Sequence, residues 1–299
     1  VPGWMGFGGY AGSCCLLLVP PNRGEDAGMK RRPAARGRFY SGNEIALRRE
    51  IEKYALVKRG KRAIAVVAPH AGYEFSGRTA GAAFSEVKVS DTAIILGPNH
   101  GGWGSDFAIM SEGSWEMPFG EAEIDSEVAA SLKSVCPFLR EDIAAHQEEH
   151  SLEVEVPFLQ YVNSKVKIVP IVIASMEEMK LEALGKGIAE TIKSLDREIL
   201  IVASTDMSHT ERSNPAKQAE IRQRDMMAID AILELDPGKL LRLVRQERIT
   251  MCGPVPVAAA ITAAKLLGAE KARLVSYTTS HDVTGDYSYV VGYAGIVIE

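Results

Sequence analysis

Long apolar runs are missing from this 299-residue sequence, and none reaches the roughly 18 residues that a membrane-spanning helix needs. Cysteine is scarce. The four present, Cys14, Cys15, Cys136 and Cys252, form no C-x-x-C pair, which argues against a disulfide framework and for a reducing, cytoplasmic setting. Cationic residues are in deficit, 34 Lys and Arg against 39 Asp and Glu, whereas a nucleic-acid surface needs the opposite bias. Neither a phosphate-cradling G-x-x-x-x-G-K-[ST] sequence nor a G-x-G-x-x-G between strand and helix occurs, so no nucleotide cofactor is expected.

Apolar residues make up 46% of the chain, enough for a large core. Residues 1–28 are set apart by their Gly and Pro content and by the lack of sustained periodicity. They read as a disordered extension, a weak export signal without its basic region, or residues upstream of a start at Met29. Residues 29–299 show no internal repeat and no linker-like stretch, and read as one domain.

Within that domain, continuous apolar runs alternate with helical spacing. Ala63–Ala68, Thr92–Leu96, Lys167–Ala174 and Glu198–Ser204 suit strands buried on both faces. Helices are predicted over 43–56, 77–87, 126–135, 177–194, 217–235, 237–246 and 256–267, with another over 150–162 interrupted by Pro157. Short strands are expected at 106–110 and 114–116, and strand-like segments at 272–278 and 287–298 close the chain. This alternation predicts an α/β fold, with a mostly parallel or mixed central sheet covered by helices on both faces.

The polar residues at the strand exits carry the chemistry. His70 follows the first buried run by two residues, His100 follows the second by four, and Asp206 and His209 follow the fourth. A single histidine after a strand is ordinarily a loop residue. Three strand exits delivering histidine to the carboxyl edge of a sheet, where ligands bind in such folds, point to a shared site. Cys252, just ahead of a predicted helix, reads either as a small buried hydrophobe or as a thiolate favoured by the helix N-terminus. His146-Gln147-Glu148-Glu149-His150 lacks the Glu that directly follows the first His of a zinc-protease helix, so that reading is rejected. His281-Asp282 reads as a surface pair. Tyr73, Phe75 and Trp103 read as core in preference to walls for an aromatic ligand.

Six short motifs occur in order: Arg38-Phe-Tyr-Ser-Gly42, Ala68-Pro-His-Ala-Gly-Tyr73, Leu96-Gly-Pro-Asn-His100, Glu149-His-Ser-Leu-Glu153, Ser204-Thr-Asp-Met-Ser-His209 and Met251-Cys-Gly253. Together they resemble the Memo family over roughly residues 30–299. The resemblance implies a fold similar to the catalytic subunit of class III extradiol dioxygenases, in which two histidines and a glutamate hold iron(II). It places His70 and His100 at the histidine ligands, Cys252 at the glutamate, His209 at the acid-base position and Asp206 in the pocket. A thiolate in place of the carboxylate softens the donor set toward copper(I) or zinc. In prokaryotes the family is associated with a radical-SAM protein and a small partner protein.

The leading expectation is therefore a metal-dependent redox or oxygenase-like protein. His70, His100 and Cys252 would bind iron(II) or copper(I), and Asp206 and His209 would serve as catalytic groups. One alternative makes Cys252 a metal-free nucleophile activated by His209. Another makes the pocket a non-catalytic binding or adaptor site for a small molecule, a peptide or a partner protein.

Overall fold

The four buried runs become adjacent parallel strands, and their alternation sorts side chains to the two faces of one sheet. The computed structural model describes residues 29–54 and 60–299. The expectations for residues 1–28, Cys14 and Cys15 included, lie outside it, as does the end of the first predicted helix.

In chain order the described elements begin with β1 (Lys30–Arg31), α1 (Glu44–Tyr54), β2 (Ala65–Ala68), α2 (Tyr73–Glu86), β3 (Thr92–Pro98) and β4 (Phe107–Ile109). There follow β5 (Ser114–Trp115), β6 (Ala122–Glu123), α3 (Ser126–Val135), β7 (Arg140–Glu141) and α4 (Ala144–Gln147). A 3-10 turn (Glu153–Glu155) leads into α5 (Val156–Val162), β8 (Lys167–Ile173), α6 (Glu178–Leu195), β9 (Ile199–Ser204) and β10 (His209–Glu211). The chain closes with α7 (Pro215–Leu233), α8 (Pro237–Gln246), α9 (Pro254–Leu266), β11 (Ala272–Thr279), α10 (Ser280–Thr284) and β12 (Tyr289–Ile298).

The main sheet runs β10-β12-β2-β9-β3-β8-β4-β7, with β11 also paired to β12. Strands β2, β9, β3 and β8 are mutually parallel. β12 adds antiparallel to β2, and β4 adds antiparallel to β8. The sheet is thus mixed, with a parallel centre. Side-chain alternation sends Val67, Ile94, Leu96, Ile171 and Ile201 to one face, against α3, α6, α8 and α9. It sends Val66, Ile95, Val172 and Val202 to the other, against α1, α2 and α5. Helices cover both faces, as the apolar runs require.

Two boundaries differ from the sequence reading. Helix α2 begins at Tyr73, not Gly77, which buries the Tyr73 ring in the core. Pro157 does not interrupt a helix; it stands in the first turn of α5, where its missing N–H is not needed.

The register places the site. Ala68 pairs with Ser204, and Leu96 pairs with Ala203. The carboxyl ends of β2, β9 and β3 therefore lie side by side, and the chain leaves them toward His70, Asp206 and His100.

Candidate metal centre

Three imidazoles converge at this edge. Ring centroids are 5.1 Å apart for His70 and His100, 5.5 Å for His70 and His150, and 4.5 Å for His100 and His150. One ligating atom from each of the three lies within 4.8 Å of the other two. The third histidine is His150, which the sequence reading passed over because it follows no strand. It sits in the loop ahead of α5. Its one sequence signal is the motif Glu149-His-Ser-Leu-Glu153, which no predicted strand directly precedes. His146, the other end of the rejected protease spacing, is fully buried, with its two ring nitrogens 2.8 Å from the Asp142 carbonyl and 3.3 Å from the Pro170 carbonyl. It does not line the cavity beside the three histidines.

The loop is held by charge. Arg31 is buried, donating to Glu153 (2.7 Å), to the carbonyl of His146 (2.6 Å) and to that of Glu149 (2.8 Å). Glu153 also accepts from the amides of Ala34 and Ala35 and from the Tyr40 hydroxyl at 2.6 Å. Every oxygen of this buried carboxylate is satisfied, the condition under which a buried ion pair holds. Phe39 packs on His150 with centroids 4.5 Å apart, so the Arg38–Gly42 motif is a wall and an anchor for the triad. Gly97 lets the loop close onto β3: a Cβ there would stand 2.6 Å from Ser151 Oγ and 2.7 Å from Leu152.

Hydrogen bonds fix which nitrogen each imidazole presents. Glu149 accepts from the His100 amide at 2.6 Å and from its Nδ1 at 2.9 Å, so the proton sits on Nδ1 and Nε2 is open. Burial opposes charge on Glu149, yet bonds from His100 and Ser151 hold its carboxyl down at about 2. Burial likewise opposes the His100 cation, but the Glu149 carboxylate raises that imidazole above its ordinary value. For His150 desolvation dominates and brings it down to about 4. Desolvation, together with the other imidazoles, puts His70 well below its ordinary value. His70 and His150 therefore present neutral rings at neutral pH.

His70 Nδ1 lies 2.7 Å from Ser204 Oγ, which also lies 2.7 Å from the Ser151 carbonyl and 2.8 Å from Glu155 Oε1. Burial raises the Glu155 carboxyl well above the carboxylate range. A protonated Glu155 donates to Ser204, Ser204 donates to the Ser151 carbonyl, and His70 Nδ1–H donates to the second lone pair of Ser204. Each contact then has one proton. His70 Nε2 is left as an acceptor.

The other predicted site residues fall around this core. Cys252 Sγ is 3.2 Å from His70 Nε2 and accepts from the Asp206 amide at 3.1 Å. Gly253 makes that turn possible, because a Cβ there would lie 2.5 Å from the Ser204 carbonyl oxygen. Of the two readings of Cys252, the thiolate is the one the surroundings oppose: desolvation, aided by the Asp206 carboxylate, pushes the thiol up despite the adjacent helix α9. Among the described residues the mutually close set is the three histidines, with Cys252 beside His70. Asp206 is buried and accepts from the His70 amide at 2.9 Å, and desolvation raises its carboxyl to about 6. His209 Nδ1 lies 3.0 Å from the Thr250 carbonyl. A carbonyl only accepts, so Nδ1 carries the proton and Nε2 is free.

A cavity of about 610 Å³ opens here, lined by the three histidines, Asp206 and His209 and walled by Phe39, Phe75, Tyr289 and Tyr293. Of the three aromatics weighed earlier, Phe75 reaches the cavity, Tyr73 is core and Trp103 is exposed. His281 stacks on Tyr287 while Asp282 pairs with Arg222, a surface arrangement. Among the described residues no helix is long and apolar enough to cross a membrane.

A family model described as Memo-like protein matches residues 31–297. The chain is 40% identical over 284 residues to a MEMO1 family protein of Methanopyrus kandleri, covering 90% of this chain and 99% of that one. It is also 40% identical to a MEMO1 family protein of Methanococcoides burtonii over 272 residues, and to one of Thermococcus onnurineus over 289 residues. Those alignments cover 90% of this chain in both cases, and 100% and 99% of the relatives.

Proposed function

The chain belongs to the Memo family, and from that premise we propose that its pocket binds a redox-active metal ion, iron(II) or copper(I), and carries out redox or oxygenase-like chemistry on a small ligand. The observation that carries this reading is the triad: three imidazoles whose ligating atoms lie within 4.8 Å of one another. An ion held at about 2.1 Å by each would bring those atoms to at most about 4.2 Å apart, a small inward shift. Nδ1 of His70 and of His100 is tied down, so Nε2 is the atom that each would offer to an ion, the usual arrangement for ligating histidine. Imidazole suits iron and copper alike, and the neighbouring Cys252 thiol, once deprotonated, softens the set toward copper(I).

When bound, the metal supplies one-electron chemistry and open positions for a ligand. The chain's own residues do the rest. Glu149 and Ser204 orient His100 and His70. Asp206 holds the His70 backbone, and its raised carboxyl exchanges a proton near neutrality. His209, pinned by Thr250, presents Nε2 to the cavity as a proton carrier. Phe39, Phe75 and Tyr293 give the ligand an apolar wall that excludes water.

The test is anaerobic titration of the metal-free protein with iron(II) and copper(I). Wild type is expected to bind one equivalent at micromolar concentration or tighter. His70→Ala, His100→Ala and His150→Ala should each weaken binding by at least about a hundredfold, and Cys252→Ser should weaken copper(I) more than iron(II). Absence of binding to wild type, or wild-type affinity in the three histidine variants, rejects the reading.

A further inference from the structure

His209 is shared by two cavities. The second, of about 590 Å³, is lined by His209, Glu211, Arg212, Lys217, Arg224 and Arg248 among others. Four cations face it against a single carboxylate, in a chain whose net charge is −5. Among the described residues, Arg224 alone of the four is drawn into an ion pair, with Glu220 at 2.7 Å. Lys217 Nζ donates to the Glu211 carbonyl at 2.8 Å, which leaves its charge uncompensated. A concave surface of one sign focuses the field and concentrates ions of the other.

The backbone offers a way to remove two of these cations without strain. Arg212 and Arg248 adopt φ of +49° and +53°, a left-handed conformation that costs a side-chain-bearing residue about 1 kcal/mol and a glycine almost nothing. Arg248 occupies it just past the end of α8, a position where glycine is the common choice. Asp196 and Leu235 adopt the same conformation past α6 and α7, so it is the placement of both arginines at one cavity, and not their conformation, that bears on the site.

We propose that this second cavity binds an anionic group, a phosphate or a carboxylate, on the ligand whose other end enters the triad cavity past His209. Guanidinium forks match the paired oxygens of both anions and give charge-assisted bonds. The identity of the reacting end rests on the metal-binding reading above; the anion site itself does not.

The test therefore uses simple anions and metal-free, full-length protein. Inorganic phosphate and, separately, acetate are titrated at low ionic strength and followed by calorimetry and by amide shifts at Thr210, Lys217 and Thr250. Wild type is expected to bind one of them at millimolar concentration. Arg212→Gly/Arg248→Gly should bind it at least about tenfold more weakly. Because glycine suits both backbone positions, the double variant should keep or raise its melting temperature, and its affinity for iron(II) should be unchanged. Binding of phosphate alone or acetate alone identifies which anion the site was built for. Failure of wild type to bind either, or equal binding by the double variant, overturns the proposal. Failure of wild type to bind iron(II) or copper(I) would reject the metal-binding reading and leave the anion site standing.

Discussion

Ser204 has one proton and three partners, and the whole hydrogen-bond pattern around His70 follows from that. If Glu155 were ionised, it and the Ser151 carbonyl would compete for the Ser204 proton, and a fully buried carboxylate would keep an unpartnered Oε2. An unpaired buried charge is far more costly than an unpaired neutral carbonyl oxygen. Glu155 therefore carries its proton at neutral pH. Glutamine reproduces a neutral group with a donor, so Glu155→Gln should change stability by less than about 1 kcal/mol and leave metal affinity within about twofold. The infrared difference spectrum of wild type minus Glu155→Gln at pH 7 should show the carbonyl band of a protonated acid. Finding carboxylate bands in its place would show that the proton assignment at His70 is wrong. No local sequence signal marks Glu155. Its neighbour Glu153, two residues away and also buried, is paired with Arg31 and accepts from Tyr40 and two amides. The two carboxyls differ in partners brought from more than a hundred residues away for Glu153 and from 49 residues away for Glu155.

At the scale of elements, β1 and the 3-10 turn before α5 are coupled through Arg31 and Glu153, whose side chains are 1% and 0% exposed. Breaking one side of a buried pair leaves the other charge unpaired, at a cost of about 3–5 kcal/mol. Arg31→Met should lose that much in urea or guanidinium denaturation. It should also weaken metal binding, because the same guanidinium holds the Glu149 carbonyl beside His150. A variant with wild-type stability and metal affinity would remove Arg31 from the account of the site. Most elements were legible in the sequence for a local reason: β2, β3, β8 and β9 are continuous apolar runs, and α3 and α6 are amphipathic with clear ends. Helix α10 was not recognised, although its capping box, Thr279 with Asp282, was readable as the T-x-x-D pattern. It was hidden between two strand-like segments. Helix α2 started earlier than expected because burial of Tyr73 extends it past the point where small residues begin.

For the molecule as a whole, the three imidazoles come from positions 70, 100 and 150 and meet only when the sheet is formed. A metal that binds such a site binds the native state and not the unfolded chain, so it stabilises by mass action, about 2.7 kcal/mol at a hundred times its Kd. Iron(II) or copper(I) added anaerobically should raise the melting temperature in proportion to the logarithm of its concentration, and a chelator should reverse the rise. An unchanged melting temperature under saturating metal would contradict a site assembled by folding. The sequence by itself determined the α/β class, the buried strands and the delivery of His70, His100, Asp206 and His209 toward one edge, because each is a consequence of residues close together in the chain. Only the tertiary structure decided that His150 completes the triad, that Cys252 stands against His70 with its thiol disfavoured as an anion, and that four cations gather behind His209. Those outcomes depend on which distant segments the sheet order brings into contact, and on the desolvation that contact imposes; neither is written in local spacing.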